Sequence, residues 1–217
     1  MMKKFGILFD LDGTLLDTLG DLTDSVNYTL QHYGLPARTP MEIRSYLGNG
    51  ARRLIELACD GKGNIDEMLA FYQAYYKTHC RIKTAPYPYI PEALEILGKN
   101  YALAVVSNKP DAVTKSLCAD IFPGLLARGE AADCARKPAP DMLLKIKEEL
   151  GINDFIYVGD SEVDVITAKN AGVPCVSVLW GFRDRDEIEA KGGKYFVEDA
   201  RELPAMIETI IGEKNGK

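Results

Sequence analysis

Histidine is nearly absent. The 217 residues hold two, His32 and His79, each in a probable helix with no partner four residues on. A His-x-x-x-His metal site is excluded, and a Ser-His-Asp hydrolase has no obvious base. Cysteine is sparse and follows no motif. The five, at 59, 80, 118, 134 and 175, include no Cys-x-x-Cys, hence neither a zinc nor a thioredoxin signature. Buried, reduced thiols in a cytosolic protein are expected. Positive charge is in deficit, with 26 Lys+Arg against 32 Asp+Glu and a balance of −6. No basic stripe with interleaved aromatics stands out, which argues against nucleic acid as the main ligand. No stretch approaches the ~18 apolar residues that span a bilayer. Met1-Met2-Lys3-Lys4 has the charge of a signal peptide, but Asp10 and Asp12 cut short the apolar run behind it. The expectation is a cytoplasmic chain with no nucleic-acid or membrane partner.

What is present is ordinary for a globular protein: 47% hydrophobic and 27% charged residues. The length suits one large domain or two modest ones, at roughly 150 residues per domain. Four short apolar runs read as buried strands: Phe5 to Phe9, Ala102 to Val106, Phe155 to Val158 and Pro174 to Val178. Helical patterns lie between them. Asp141 to Leu150 stops at Gly151, and Ser161 to Ala171 stops at Gly172. Strands alternating with helices predict an α/β fold, a Rossmann-like parallel sheet with right-handed crossovers. Residues 17–83 break the rhythm. Leu22, Val26, Leu30, then Leu54, Ile55, Ala58, then Leu69, Tyr72, Tyr76 recur at helical spacing with no convincing strand. This segment reads as a helical insert after the first strand, and Pro86, Pro88 and Pro91 mark the return to the sheet.

The apolar runs end in polar clusters. The first ends Asp10-Leu11-Asp12-Gly13-Thr14, the second Ser107-Asn108-Lys109, and a later one Gly159-Asp160-Ser161-Glu162-Val163-Asp164. In an open parallel sheet the carboxyl ends of the strands share one crevice, where ligands bind. Asp10 and Asp12 have strand spacing and begin on one face. Their mutual repulsion calls for a hard cation, and Mg²⁺ favours carboxylates plus substrate phosphate. Asp160 is a natural further ligand. Gly13 and Thr14 offer backbone N–H groups and a hydroxyl to an anion. Ser107 and the amide of Asn108 offer a second donor set, and Lys137 a fixed positive charge. Singly, these residues have plain explanations as turns, helix caps or solvated charges. Their convergence on one sheet edge favours phosphoryl transfer. One carboxylate attacks phosphorus and a second protonates the leaving oxygen, then activates water.

These motifs resemble the haloacid dehalogenase-like superfamily of phosphohydrolases, in its phosphoglycolate phosphatase-like branch, over nearly the whole chain. Phe9-Asp10-Leu11-Asp12-Gly13-Thr14-Leu15 is similar to the nucleophile motif, and the resemblance implies Asp10 as nucleophile and Asp12 as general acid/base. Val105 to Pro110 is similar to the second motif, whose serine, here Ser107, binds phosphate. Arg136-Lys137-Pro138 carries the phosphate-binding lysine of the third. Asp160 and Asp164 match the fourth, the first holding Mg²⁺ and the second bracing the site. The resemblance also implies that Asp12 meets the metal through its backbone carbonyl. It divides the chain into a catalytic core, residues 1–16 and 84–217, and a small helical cap, residues 17–83. Leu47 to Ile55 resembles the cap loop that selects the substrate, with Asn49, Gly50 and Arg52 as the expected contacts. The pattern departs at Tyr89, where Pro86-Tyr87-Pro88 is usually followed by glycine.

The resemblance implies a Mg²⁺-dependent phosphatase acting on a small phosphorylated substrate, with phosphoglycolate first, as a monomer or weak homodimer. A sugar-phosphate mutase, a pyrophosphatase or a 5′-nucleotidase would keep the same four motifs. Dehalogenase chemistry is disfavoured by Asp12. A signalling receiver would be shorter and uncapped, and a phosphate-sensing binding protein would not need both Asp10 and Asp12.

Overall fold

The computed structural model describes residues 4–215, so the reading of Met1-Met2-Lys3 lies outside them. The chain opens with β1 (Phe5–Phe9) and a two-residue strand, β2 (Leu16–Asp17). Four helices follow: α1 (Leu19–His32), α2 (Pro40–Tyr46), α3 (Gly50–Ala58) and α4 (Ile65–His79). β3 (Ala85–Pro86) returns antiparallel to β2. Then come α5 (Ile90–Asn100), β4 (Ala102–Pro110), α6 (Asp111–Ile121), β5 (Leu126–Glu130), α7 (Asp141–Leu150) and β6 (Asp154–Gly159). The chain continues through α8 (Glu162–Ala171), β7 (Cys175–Val178), α9 (Arg185–Glu189), β8 (Tyr195–Val197) and α10 (Leu203–Asn215).

Six strands form one parallel sheet in the order β5-β4-β1-β6-β7-β8. β1 sits between β4 and β6, which is why its run is apolar on both faces. Alternation sends Ile7 and Phe9 into one core and Leu8 into the other, against Met142, Leu143 and Ile146 of α7. Both expected helix stops hold: Gly151 (φ 63°) and Gly172 (φ 70°) take the left-handed conformation that ends α7 and α8. β5 and β8 lie at the sheet edges, where one side is unpaired and the sequence need not be continuously apolar. Neither stands out as a run.

The helices α1, α3 and α4 bury Leu22, Val26, Leu30, Leu54, Ile55, Ala58, Tyr72 and Tyr76 against one another. Met68 rather than Leu69 fills the first turn of α4 fully. Tyr89 stands at φ 64° at the start of α5, the left-handed region that glycine takes without cost. Its ring lies 4.2 Å from the Arg201 guanidinium. That contact offsets part of a conformational cost of about 1–2 kcal/mol.

Asp21 in the first turn of α1 closes the excursion. Its carboxylate is 1% exposed and accepts the backbone N–H groups of Ile82, Lys83 and Thr84 and the Thr84 hydroxyl. One side chain thereby fixes the outgoing chain to the returning one. Asp21→Ala strands four donors together. The expected loss is more than about 3 kcal/mol, read from urea unfolding; a loss under about 1 kcal/mol would show that the clamp is dispensable.

Candidate functional site

Three carboxylates converge at the carboxyl end of the central strands. Oxygen atoms of Asp10, Asp160 and Asp164 lie within 4.8 Å of one another, and all three residues are buried. Asp10 follows β1, while Asp160 and Asp164 bracket the turn from β6 into α8. Lys137 enters from the segment before α7 and places Nζ 2.9 Å from Asp10 Oδ1, 2.8 Å from Asp164 Oδ1 and 2.9 Å from the Tyr157 hydroxyl. Two of its donors serve Asp164 and Tyr157, and its charge lies against Asp10. Lys137 therefore stands behind Asp10, whereas the sequence places it facing a phosphoryl group.

Each carboxylate is held differently. Asp164 accepts from Lys137 at one oxygen and from the Ser161 amide and hydroxyl at the other, at 3.1 and 2.6 Å. Asp160 accepts from Thr14 Oγ1 (3.2 Å) and the Phe182 amide (2.7 Å), one bond per oxygen. Asp10 Oδ1 is buried and makes no hydrogen bond. Its contact with Lys137 is close but misaligned, so the two share charge without a directed bond. Burial lifts the Asp10 carboxyl from its ordinary 3.8 to about 7, against the pull of Lys137. Burial, then Asp164 and Asp10, push Asp160 well up. Burial opposes the charge of Lys137, but Asp10 and Asp164 outweigh it and hold the ammonium above its ordinary value.

Ionised, the cluster carries three negative charges against the single positive charge of Lys137, a balance of −2. An orphaned oxygen on Asp10, and one further acceptor direction on each Asp160 oxygen, fit a hard divalent cation. The surrounding glycines leave it room. A Cβ on Gly13 would meet Asp160 Oδ2 at 2.3 Å, and one on Gly181 would meet Asp160 Cβ at 2.3 Å. Asp10 and Asp160 would hold the ion, and Asp164, with its oxygens already engaged, braces Lys137 and Ser161.

The remaining residues divide. Asp12 is not in the cluster. Its carboxylate pairs with Lys109 Nζ at 2.7 and 2.9 Å, so the repulsion that the sequence assigns to a cation is met by a lysine. Gly13 and Thr14 do not present free donors: their amides go to Leu16 O and Leu11 O, and the Thr14 hydroxyl to Asp160. Ser107 lines the cavity, and its oxygen accepts the Lys109 amide. The Asn108 side chain bridges Gly48 O and Lys137 O and accepts the Lys137 amide, which makes it a brace. A cavity of about 280 Å³ opens over Asp10, Asp12, Ser107 and Asp160, with Gly48 and Gly50 in its wall. Asn49 caps α3 outside that lining. Arg52 is also outside it, half-exposed and paired with Glu56 and Asp66. Arg53 likewise pairs with Glu56.

Sequence reasoning missed Lys109, Tyr157 and Arg183. Lys109 stands in the motif beside Ser107, and a lysine so close to a catalytic cluster was the available signal. Tyr157 lies within an apolar run and resembles a core residue. Arg183 is buried, pairs with Glu162 at 2.9 Å and donates to Arg44 O and Leu47 O, seating the loop before α3 on the sheet edge. Nothing in its local sequence marks this.

Fold and site together define a parallel-sheet protein that gathers carboxylates and a lysine at the carboxyl edge of its strands. The chain belongs to the haloacid dehalogenase-like hydrolase family, whose model matches residues 7–178. It is 35% identical to a phosphoglycolate phosphatase of Aquifex aeolicus, over 81% of this chain and 85% of that protein. It is 31% identical to one of Agrobacterium fabrum, over 95% and 94%. A candidate phosphoglycolate phosphatase from Lactobacillus delbrueckii subsp. bulgaricus superposes with a TM-score of 0.85 at 33% identity, covering 95% of this chain and 99% of that one.

The raised Asp10 carboxyl fixes a pH dependence. Without a cation, the folded chain holds a proton there that the unfolded chain releases above about 4. The resulting relative stability is therefore lost as pH rises from about 4 through about 7. A divalent cation must displace that proton. Mg²⁺ is expected to raise Tm clearly near pH 8 and to lose that effect progressively below about pH 7. Thermal melts with Mg²⁺ and with EDTA across this range test it; an equal gain at acid pH would rule out binding at Asp10.

Proposed function

We propose that the chain is a Mg²⁺-dependent phosphatase of small phosphate monoesters, with 2-phosphoglycolate as its preferred substrate. The observation that carries the reading is the orphaned, buried oxygen of Asp10 beneath a cavity that also meets Asp12 and Ser107. The names of the relatives at 31% and 35% identity support the substrate. In this reading residues 17–83 act as a cap over the core formed by 1–16 and 84–217. The chain works in the cytoplasm as a monomer or weak homodimer. Among the described residues no cysteine is in a disulfide, and no helix is long and apolar enough to cross a membrane.

Asp10 attacks phosphorus, and the bond to the leaving oxygen breaks as Asp12 gives that oxygen a proton. Water then attacks the aspartyl-phosphate, giving its proton to Asp12, and phosphate leaves with Asp10 restored. Lys137 pulls against the burial that favours a protonated Asp10, and so favours the ionised form for the attack. Lys109 fixes the direction of the Asp12 carboxylate. The Ser107 hydroxyl keeps its proton for a phosphoryl oxygen. Asp10 and Asp160 would hold Mg²⁺, which would supply charge neutralisation for the transferring group.

The walls above this chemistry weigh against a sugar phosphate. Leu22, Leu47, Leu54 and Val113 line the cavity, a poor match for the several hydroxyls of a sugar.

Asp10→Asn removes the nucleophile while keeping the shape. Turnover is expected to fall by about three orders of magnitude or more, with Tm retained; a freshly purified variant at near-normal rate would eliminate Asp10 as nucleophile. In a panel of 2-phosphoglycolate, β-glucose 1-phosphate, pyrophosphate and nucleoside 5′-monophosphates, the first should lead in kcat/KM by about tenfold. A lead for any other member would reassign the substrate.

A further inference from the structure

We propose that Tyr76 and Lys77 of α4 form the subsite that recognises the carboxylate of the leaving group. The inference rests on the phosphatase reading and names the residues that choose its substrate. α4 turns one stripe to the cavity: Tyr72, Gln73, Tyr76 and Lys77, at positions i, i+1, i+4 and i+5. The walls on either side are largely apolar, so the few polar atoms among them decide what fits.

Tyr76 supplies one. Its hydroxyl is buried and has no hydrogen-bond partner. A buried hydroxyl left unpaired is unfavourable, and a ligand oxygen would relieve it. Its ring lies 4.8 Å from Lys109 Nζ, the ammonium that holds Asp12. Tyr76 therefore stands on the side where the leaving oxygen departs. Burial, and then the charge of Asp12, push the phenol well up, so it stays a neutral donor.

Lys77 supplies the other. The cavity lining contains three cationic side chains, Lys77, Lys109 and Arg183. Lys109 is committed to Asp12 and Arg183 to Glu162. Lys77 is exposed at the mouth and makes no ion pair among the described residues. A carboxylate held in this cavity shares it with Asp10, Asp12 and Asp160 and needs an uncommitted positive charge. A neutral donor and a free ammonium on the cavity face of α4 suit a carboxylate. An alcohol or an apolar leaving group would use neither pair fully. Arg52 and Arg53 cannot serve, because both face outward in ion pairs with Glu56.

The test compares 2-phosphoglycolate with ethyl phosphate, which lacks the carboxylate, on the full chain with Mg²⁺. Wild type, Tyr76→Phe, Lys77→Met and Lys77→Arg are assayed, with far-UV circular dichroism to confirm folding. The ratio of kcat/KM for the two substrates is expected to fall by about tenfold or more in Tyr76→Phe and in Lys77→Met. Lys77→Arg should recover most of the loss. A ratio within about threefold of wild type in either variant, or parallel losses on both substrates, overturns the subsite while the phosphatase reading stands. Wild type that fails to prefer 2-phosphoglycolate over ethyl phosphate overturns the substrate reading itself.

Discussion

Too little positive charge for the buried negative charge is the constraint on which this molecule turns. Three carboxylates and one ammonium share the sheet edge, with Lys137 touching Asp10 and Asp164 but not Asp160. Desolvating an ion costs several kcal/mol unless partners replace its water. The chain supplies partners unevenly. Asp164 is saturated by Lys137 and Ser161, Asp160 is half satisfied, and Asp10 keeps an oxygen with none. This gradient separates bracing from chemistry. The carboxylate with the fewest internal bonds is the one free to react, and the one with the most is the one that cannot move.

Packing enforces the same arrangement. Gly159 runs so close to Asp164 that a Cβ there would meet its carboxyl carbon at 2.3 Å. Gly13 and Gly181 crowd Asp160 from two sides in the same way. A side chain at any of these positions would displace a carboxylate without touching its charge. The site is thus fixed as much by what is missing near it as by its bonds. Tyr157 closes the rear wall: it accepts from Lys137 and donates to Val106 O, tying the lysine to the strand that carries Ser107.

Much of this was legible in order along the chain. Short apolar runs gave β1, β4, β6 and β7, because central parallel strands are buried on both faces. The edge strands β5 and β8 carry no such signature. The acidic residues that bind or brace were legible because they follow those runs directly. What stayed hidden depends on partners distant in sequence. Asp12 finds Lys109 97 residues on, and Asp21 finds Lys83 62 residues on. Nothing local announces either partner. Arg52 was misplaced for a different reason, since the helix could have corrected it. Ala58, Leu54 and Ile55 define the buried face of α3, and Arg52 and Arg53 share the opposite face with Glu56 at i+4 and i+3.

Asn108 shows how the two layers are joined. Its amide donates to Gly48 O in the loop before α3 and to Lys137 O, and accepts the Lys137 amide. Arg183 holds the same loop through Leu47 O while it pairs with Glu162 beside Asp160. The loop over the cavity is therefore bonded to the backbone of the lysine that charges Asp10, and to the segment next to the carboxylate that completes the cation site. Withdrawing the loop breaks bonds on both sides at once. A buried polar network of this kind is favourable only when every member is satisfied. The seated loop thereby supports the charged cluster from above, on the side where α4 would hold the leaving group.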